Sequence, residues 1–277
     1  VYEGSGLCDH GPPVWASGRE FAEVEPCKLL RPKRPSTYAS VACKEFVPSI
    51  QGFLRPKYGD RFSIVMSRTS NIDIGQHLTY YASLEIVDKI LIVLPNSHDE
   101  VHQQDLRLGD TLVHFLPQEM YSPNSKFIPS MLVGTSAVLL LDEDVLVDRS
   151  DLLLLFSAWS QSPRSFAGFF PVSYRRVEGR WEVTNSLALE AYSTVLTKAA
   201  MFHIDLLHEY TCGLGEIVRS VVERHSWGES LAIALIGARM KEKFFPLHVS
   251  PQKPIMRSRP GSGDLRIKGT SGVENST

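Results

Sequence analysis

The chain has 277 residues, of which 43% are apolar, 22% charged and 9% aromatic. This is globular composition with enough length to bury a sizeable core, and it excludes a disordered, collagen-like or low-complexity chain. Lys and Arg number 29 against 31 Asp and Glu, a formal net charge of −2. That balance carries no footprint for nucleic-acid binding, so no nucleic-acid partner is expected.

Residues 1–60 are rich in Pro, Gly and charge and read as an irregular N-terminal extension. Within it, Lys28-Leu-Leu-Arg-Pro-Lys-Arg-Pro35 is a basic, proline-broken surface connection. From residue 61 the pattern sharpens. Phe62–Met66, Lys89–Leu94, Thr111–Leu116 and Ala137–Leu141 are short apolar runs expected to be strands, and 72–86 between the first two has apolar residues at helical spacing. The unbroken apolar run Ala137–Leu141 suits a strand covered on both faces. A helix is expected over Asp151–Gln161, capped by Ser150 or Asp151 and stopped by Pro163. Strands are then expected at Phe166–Val172, Trp181–Val183 and Tyr192–Leu196. Helices follow at Ala200–Tyr210, Leu214–His225 and Glu229–Lys241, with Phe244–Val249 closing the core. Residues 257–277 carry little apolar content and read as a flexible tail. Strands alternating with helices predict an α/β fold, a mostly parallel central sheet flanked by helices.

The four cysteines, Cys8, Cys27, Cys43 and Cys212, contain no C-x-x-C pair, so a zinc ribbon is not expected. Free or structural thiols are the favoured reading, with an N-terminal bridge as the alternative. No apolar run approaches the roughly 20 residues of a membrane span. The chain opens on Val1 without a leader pattern, so membrane attachment is expected only through a segment missing from it. His98 and His102 have i, i+4 spacing but sit in an acidic loop after Pro95. His203 and His208 flank an apolar face and read as partly buried packing residues. No G-x-S-x-G, P-loop or G-x-G-x-x-G is present.

The segment with the clearest chemistry is Asp142-Glu143-Asp144, directly after the apolar run. Ligands bind at the carboxyl edge of open α/β sheets. On an extended chain Asp142 and Asp144 face one side and Glu143 the other. Two hard carboxylate oxygens suit a divalent cation such as Mg²⁺ or Mn²⁺, which can neutralise a nucleotide diphosphate.

Residues 62–235 resemble the glycosyltransferase domain of the exostosin and exostosin-like family, glycosyltransferase family 64. The resemblance runs in the family's order. Phe62–Met66 resembles its opening strand, and Asp88–Asn96 its second. Ser122-Pro-Asn124-Ser-Lys126-Phe-Ile-Pro129 resembles its Ser-Leu-Asn-Asn-Arg-Phe-Leu-Pro. Thr135–Asp144 resembles its Glu-Ala-Val-Leu-x-x-Asp-Asp-Asp. Trp159 with Gly168–Pro171 resembles its Trp-x-x-Phe-Pro region, Tyr192–Met201 its Ser-Met-Val-Leu-Thr-Gly-Ala-Ala-Phe, and Glu229–Ala234 its Glu-Asp-Ile-Ala-Met-Asn.

The resemblance implies a GT-A fold over 61–250, between the extension and a tail at 251–277. It implies a Mn²⁺-dependent, retaining transfer of an N-acetylhexosamine or uronic acid from a UDP-sugar donor to a glycan or glycoprotein acceptor, such as a heparan-sulfate-type polymer. It also implies a Golgi or endoplasmic reticulum lumen location. Asp144 would be the metal ligand, with Asp142 by the metal or the ribose and Glu143 beside the donor. Asn124, Lys126, Asn96 and Arg68 would line the UDP-sugar site.

The departures matter as much. Ser230 stands where the family places its catalytic acid, leaving Glu229 as the candidate catalytic carboxylate. Gly228 replaces the cysteine of a family disulfide. Lys126 replaces an arginine and loses its planar fork. Arg257, Arg259 and Arg266 are candidate diphosphate cations, though exposed tail charge is the plainer reading. The alternative function is an impaired GT-A domain that binds UDP or glycan without turnover. A metal-dependent nucleotide hydrolase is a third reading of the acidic triplet.

Overall fold

The computed structural model describes residues 59–68, 73–95, 105–118, 122–127, 133–177, 180–185, 191–213, 215–259 and 262–266. Its centre is an eight-stranded sheet in the order β12-β7-β11-β5-β1-β2-β4-β3. In chain order these are β1 (Phe62–Ser67), β2 (Val87–Pro95), β3 (Leu106–Leu108), β4 (Thr111–Gln118), β5 (Ala137–Asp142), β7 (Ser165–Gly168), β11 (Ala199–His203) and β12 (Phe245–His248). The pairs β5–β1, β1–β2, β2–β4 and β12–β7 are parallel. Strand β11 runs against both β5 and β7, and β3 against β4. The sheet is therefore mostly parallel, as expected.

Side chains alternate along these strands between two cores. Phe62, Ile64 and Met66 of β1 join Ala137, Leu139 and Leu141 of β5 on one face. Val65, Val138 and Leu140 enter the other. The first face is covered by α1 (Gly75–Ala82) and α2 (Arg149–Gln161), which contribute Leu78, Tyr81, Leu152, Leu155 and Trp159. The second is covered by α3 (Ile204–Cys212), α4 (Gly215–His225) and α5 (Glu229–Arg239), through Leu206, Tyr210, Val222, Ile233 and Ile236. Burial on both faces is why the central strands read as continuous apolar runs. Helices sit on both sides of the sheet.

Several expectations are corrected. The predicted helix at Ala200–Tyr210 begins only at Ile204, and Ala199–His203 is the antiparallel strand β11. Burial of Ala199–Phe202 between the two cores overrides the helical preference of Ala and Met. The strand expected over Phe166–Val172 is split between β7 and β8 (Pro171–Val177). The latter forms a small sheet with β9 (Arg180–Asn185) and β10 (Thr194–Val195). The cap of α2 is Asp148, two residues before Ser150, the nearer of the two expected caps. Its carboxylate accepts from the Ser150 backbone N–H at 2.9 Å and hydroxyl at 2.7 Å. The Lys253 ammonium and then Ser150 lower the Asp148 carboxyl pKa to about 2.

The expected tail is strand over part of its length. Strands β13 (Met256–Arg259) and β14 (Ser262–Arg266) form a hairpin whose first strand pairs with β6 (Val145–Leu146), placing Arg257 opposite Val145 in register. Cys212 is disulfide-bonded, against the free-thiol expectation. The other three cysteines lie outside the described residues, as do His98 and His102. His203 is partly buried as expected, capping α3 by accepting from the Asp205 N–H at 3.1 Å and stacking on Trp159.

Gly168 sits where β7 meets β11. A Cβ there would lie 2.9 Å from the Cβ of Ala200 and 3.0 Å from a Val195 methyl. A neighbouring Cβ cannot rotate away, so Gly168→Ala should cost about 1–3 kcal/mol, the range for overpacking. Urea denaturation reads this, and an unchanged midpoint would contradict the close packing.

Burial also lowers the pKa of His208, His225 and His248 below 6.5. The unfolded chain then binds protons that the folded one refuses. The associated stability is present above the ordinary imidazole value and is lost as pH falls through it. The melting temperature should therefore drop between about pH 7.5 and about pH 5.5, and a flat profile would contradict the burial of these rings.

Candidate active site

The carboxyl ends of β1, β2 and β5 are aligned, with Ser67 opposite both Val93 and Asp142. Alternation puts Asp142, which follows Leu141, on the side of α3, α4 and α5. Glu143 falls on the side of α1, where its backbone carbonyl bonds the His77 ring at 3.1 Å. Glu143 is buried, whereas Asp142 and Asp144 are partly exposed. Glu143 and Asp144 form the turn between β5 and β6, which Tyr81 ties down. Its hydroxyl donates to the Val145 carbonyl at 3.2 Å and accepts from the Val147 N–H at 3.0 Å.

Lys126 is buried, and its ammonium lies 3.2 Å from Asp142 Oδ1 and 3.7 Å from Glu229 Oε1. One cation is thus shared by two carboxylates brought from β5 and from the first residue of α5. The short turn of 3₁₀ helix Ser125–Phe127 holds Lys126 in place. Asn124 accepts from the Tyr210 hydroxyl at 2.6 Å and donates to the Arg219 carbonyl at 3.0 Å. The Thr211 hydroxyl donates to the Phe127 carbonyl at 2.6 Å. Asn124, a residue expected to line the UDP-sugar site, thus also links this turn to α3 and α4.

The turn at Thr197–Lys198, between β10 and β11, closes the site. The Lys198 carbonyl accepts from the Asp142 N–H at 2.8 Å. The Thr197 hydroxyl lies 3.3 Å from Glu229 Oε1 and 3.2 Å from Ser230 Oγ, and the Thr197 N–H donates to Ser230 Oγ at 3.1 Å. Ser230 is buried, so the side chain at the acid's expected position holds this turn. Glu229, beside it, reaches Lys126. Burial and then the Glu229 charge raise the pKa of Tyr174, and the same causes raise that of Tyr210. The two phenols stay protonated.

Arg68 directly follows β1, half-buried, its N–H donating to the Val93 carbonyl at 2.8 Å. Asn96 lies outside the described residues. The structure thus brings together Asp142, Lys126 and Glu229, with Asp144 two residues along the same turn. Sequence reasoning missed Thr197. Its only signal was a small polar residue just before a buried strand.

The glycosyl transferase family 64 domain matches residues 62–268. The chain belongs to that family. The family 64 match spans the whole central sheet, the Glu229 helix and the β13–β14 hairpin. Among its relatives, Glycosyltransferase family protein 64 C3 of Arabidopsis thaliana is 31% identical over 170 residues, 57% of this chain and 51% of that protein. Exostosin-1c of Danio rerio is 27% identical over 172 residues, covering 60% and 23%. Glycosylinositol phosphorylceramide mannosyl transferase 1 of Arabidopsis thaliana is 25% identical over 198 residues, covering 63% and 58%. The chain spans less than two-thirds of each of these relatives.

Among the described residues no cluster of three or more His, Cys, Asp or Glu is arranged to hold a metal ion. The donor chemistry nevertheless fits a hard divalent ion completed by ligand oxygens. Asp142 and Asp144 are partly exposed carboxylates at the sheet edge, hard oxygen donors of the kind that suits Mg²⁺ or Mn²⁺.

Removing the shared ammonium leaves two partly buried carboxylates facing each other. Lys126→Met should lower unfolding stability by about 1.5–3 kcal/mol, the range for a hydrogen bond to a charged group. Denaturant titration checks this, and a variant as stable as the parent would contradict the ion-pair geometry.

Proposed function

We propose that this family 64 chain is a Mn²⁺-dependent retaining glycosyltransferase domain. It moves a sugar, an N-acetylhexosamine or a uronic acid, from UDP to a glycan or glycoprotein acceptor. The observation that carries this reading is the placement of Glu229 across Lys126 from Asp142, at the carboxyl edge of a mostly parallel sheet. The names of the relatives include an exostosin and a mannosyl transferase, which supports sugar transfer as the reaction class.

A divalent ion would be held by Asp144 and Asp142 and would neutralise the diphosphate as it leaves. The chain's own residues do the rest. Glu229 presents a negative charge to the anomeric carbon as positive charge grows there. Lys126 lies 3.7 Å from that carboxylate and restrains it. As the anomeric bond breaks, its electron pair goes to the UDP phosphate oxygen. The acceptor hydroxyl forms the new bond, and its proton passes to that same phosphate oxygen. Buried Ser230 cannot supply a charge, so Glu229 takes the role of the acid expected one position later.

We place the reaction in the lumen of the Golgi or endoplasmic reticulum. The Cys212 disulfide supports an oxidising compartment. Among the described residues no helix is long and apolar enough to cross a membrane.

Glu229→Gln should lower kcat for UDP release by about 100-fold or more while leaving UDP affinity nearly unchanged. Asp144→Ala should abolish Mn²⁺-dependent UDP binding in calorimetry. Equal rates in the first variant would remove Glu229 from the chemistry, and unchanged affinity in the second would remove the metal. A wild-type chain that binds UDP tightly yet never releases it from a UDP-sugar would be a binding module instead.

A further inference from the structure

We propose that Thr197 and Ser230 form a directed pair of hydroxyls that aims the Glu229 carboxylate, with Thr197 as the positioning residue. The proposal rests on the glycosyl-transfer reading for its kinetic test only.

Proton counting fixes the direction of the chain. Each hydroxyl has one proton to give, and an ionised carboxylate only accepts. The Thr197 hydroxyl lies 3.3 Å from Glu229 Oε1 and spends its proton there. It has none left for Ser230, at 3.2 Å, so Ser230 donates to Thr197. Ser230 in turn accepts from the Thr197 backbone N–H at 3.1 Å. Each hydroxyl is thereby both donor and acceptor, an arrangement in which hydrogen bonds polarise one another in the same sense. Thr197 is 1% and Ser230 4% exposed, so water does not compete for these bonds. Lys126 also contacts the same Glu229 oxygen, at 3.7 Å. A flexible side chain is held by two contacts from two elements, as an oriented carboxylate requires.

This gives the missing acid a positive reading. A serine at position 230 is what the pair needs, because it both accepts from the backbone and donates to Thr197. An aspartate accepts only. It would draw the Thr197 proton away from Glu229 and set a second negative charge beside it.

The test uses the purified chain with UDP-N-acetylhexosamine and UDP-uronic acid donors and reads UDP release, with kcat and KM separated. Thr197→Val should lower kcat about tenfold or more with KM unchanged, and Thr197→Ser should restore it. Ser230→Asp, although it restores the family's acid, should lower kcat as well. Thr197→Val turning over like the parent, or Ser230→Asp turning over faster, would overturn the proposal. Melting temperatures identify variants that fail to fold. If the parent releases no UDP from any donor, the glycosyl-transfer reading fails by itself. The positioning claim is then decided by crystal structures of the parent and Thr197→Val. The Glu229 carboxylate should leave Lys126 in the variant, and an unmoved carboxylate would overturn the claim.

Discussion

A buried ammonium placed between two carboxylates is the constraint on which the site depends. Moving a lysine head group out of water costs several kcal/mol unless it is paired. Lys126 is 6% exposed, so its turn can dock only where Asp142 and Glu229 both meet it. That requirement ties together the end of β5, the Ser125–Phe127 turn and the start of α5. The apolar cores supply the folding drive. The charge cluster sets the register in which loop, strand and helix close over the sheet edge, and a buried polar contact is well suited to such a specifying role.

Strand alternation decides which side of the sheet Asp142 faces. Leu139 and Leu141 belong to the core under α1 and α2, while Val138 and Leu140 belong to the core under α3, α4 and α5. Asp142 therefore emerges beside Lys126 and Glu229, and Glu143 turns under α1 and is buried. Tyr81, held between Val145 and Val147, fixes that turn from below. The small-residue contact at Gly168 and the antiparallel strand β11 bring the Thr197–Lys198 turn against Asp142.

The central strands were legible because burial on both faces leaves unbroken apolar runs, as in Phe62–Met66 and Ala137–Leu141. The stretch Ala199–His203 was not, since Ala, Met and Phe fit a buried helix and a buried strand equally well and only its neighbours decide. Asp148 is hard to single out as a cap from sequence because Ser150, two residues on, carries the same signal. The β13–β14 hairpin was hidden because its partner, β6, has two residues and its own sequence has little apolar content. Asp142, Lys126 and Glu229 were each marked by the family resemblance, but their pairing was not, because nothing in sequence spacing brings positions 126, 142 and 229 together. Ser230 read as a loss. Its burial against Thr197 turns it into a support for the neighbouring acid.

The most direct test of the shared-ammonium account is a double-mutant cycle on kcat for UDP release, using Lys126→Met, Glu229→Gln and the two combined. If Lys126 acts through Glu229, the second substitution should add little once the first is made, giving a coupling of about 0.5–3 kcal/mol. Fully additive losses would mean that the two side chains act independently and would contradict the account.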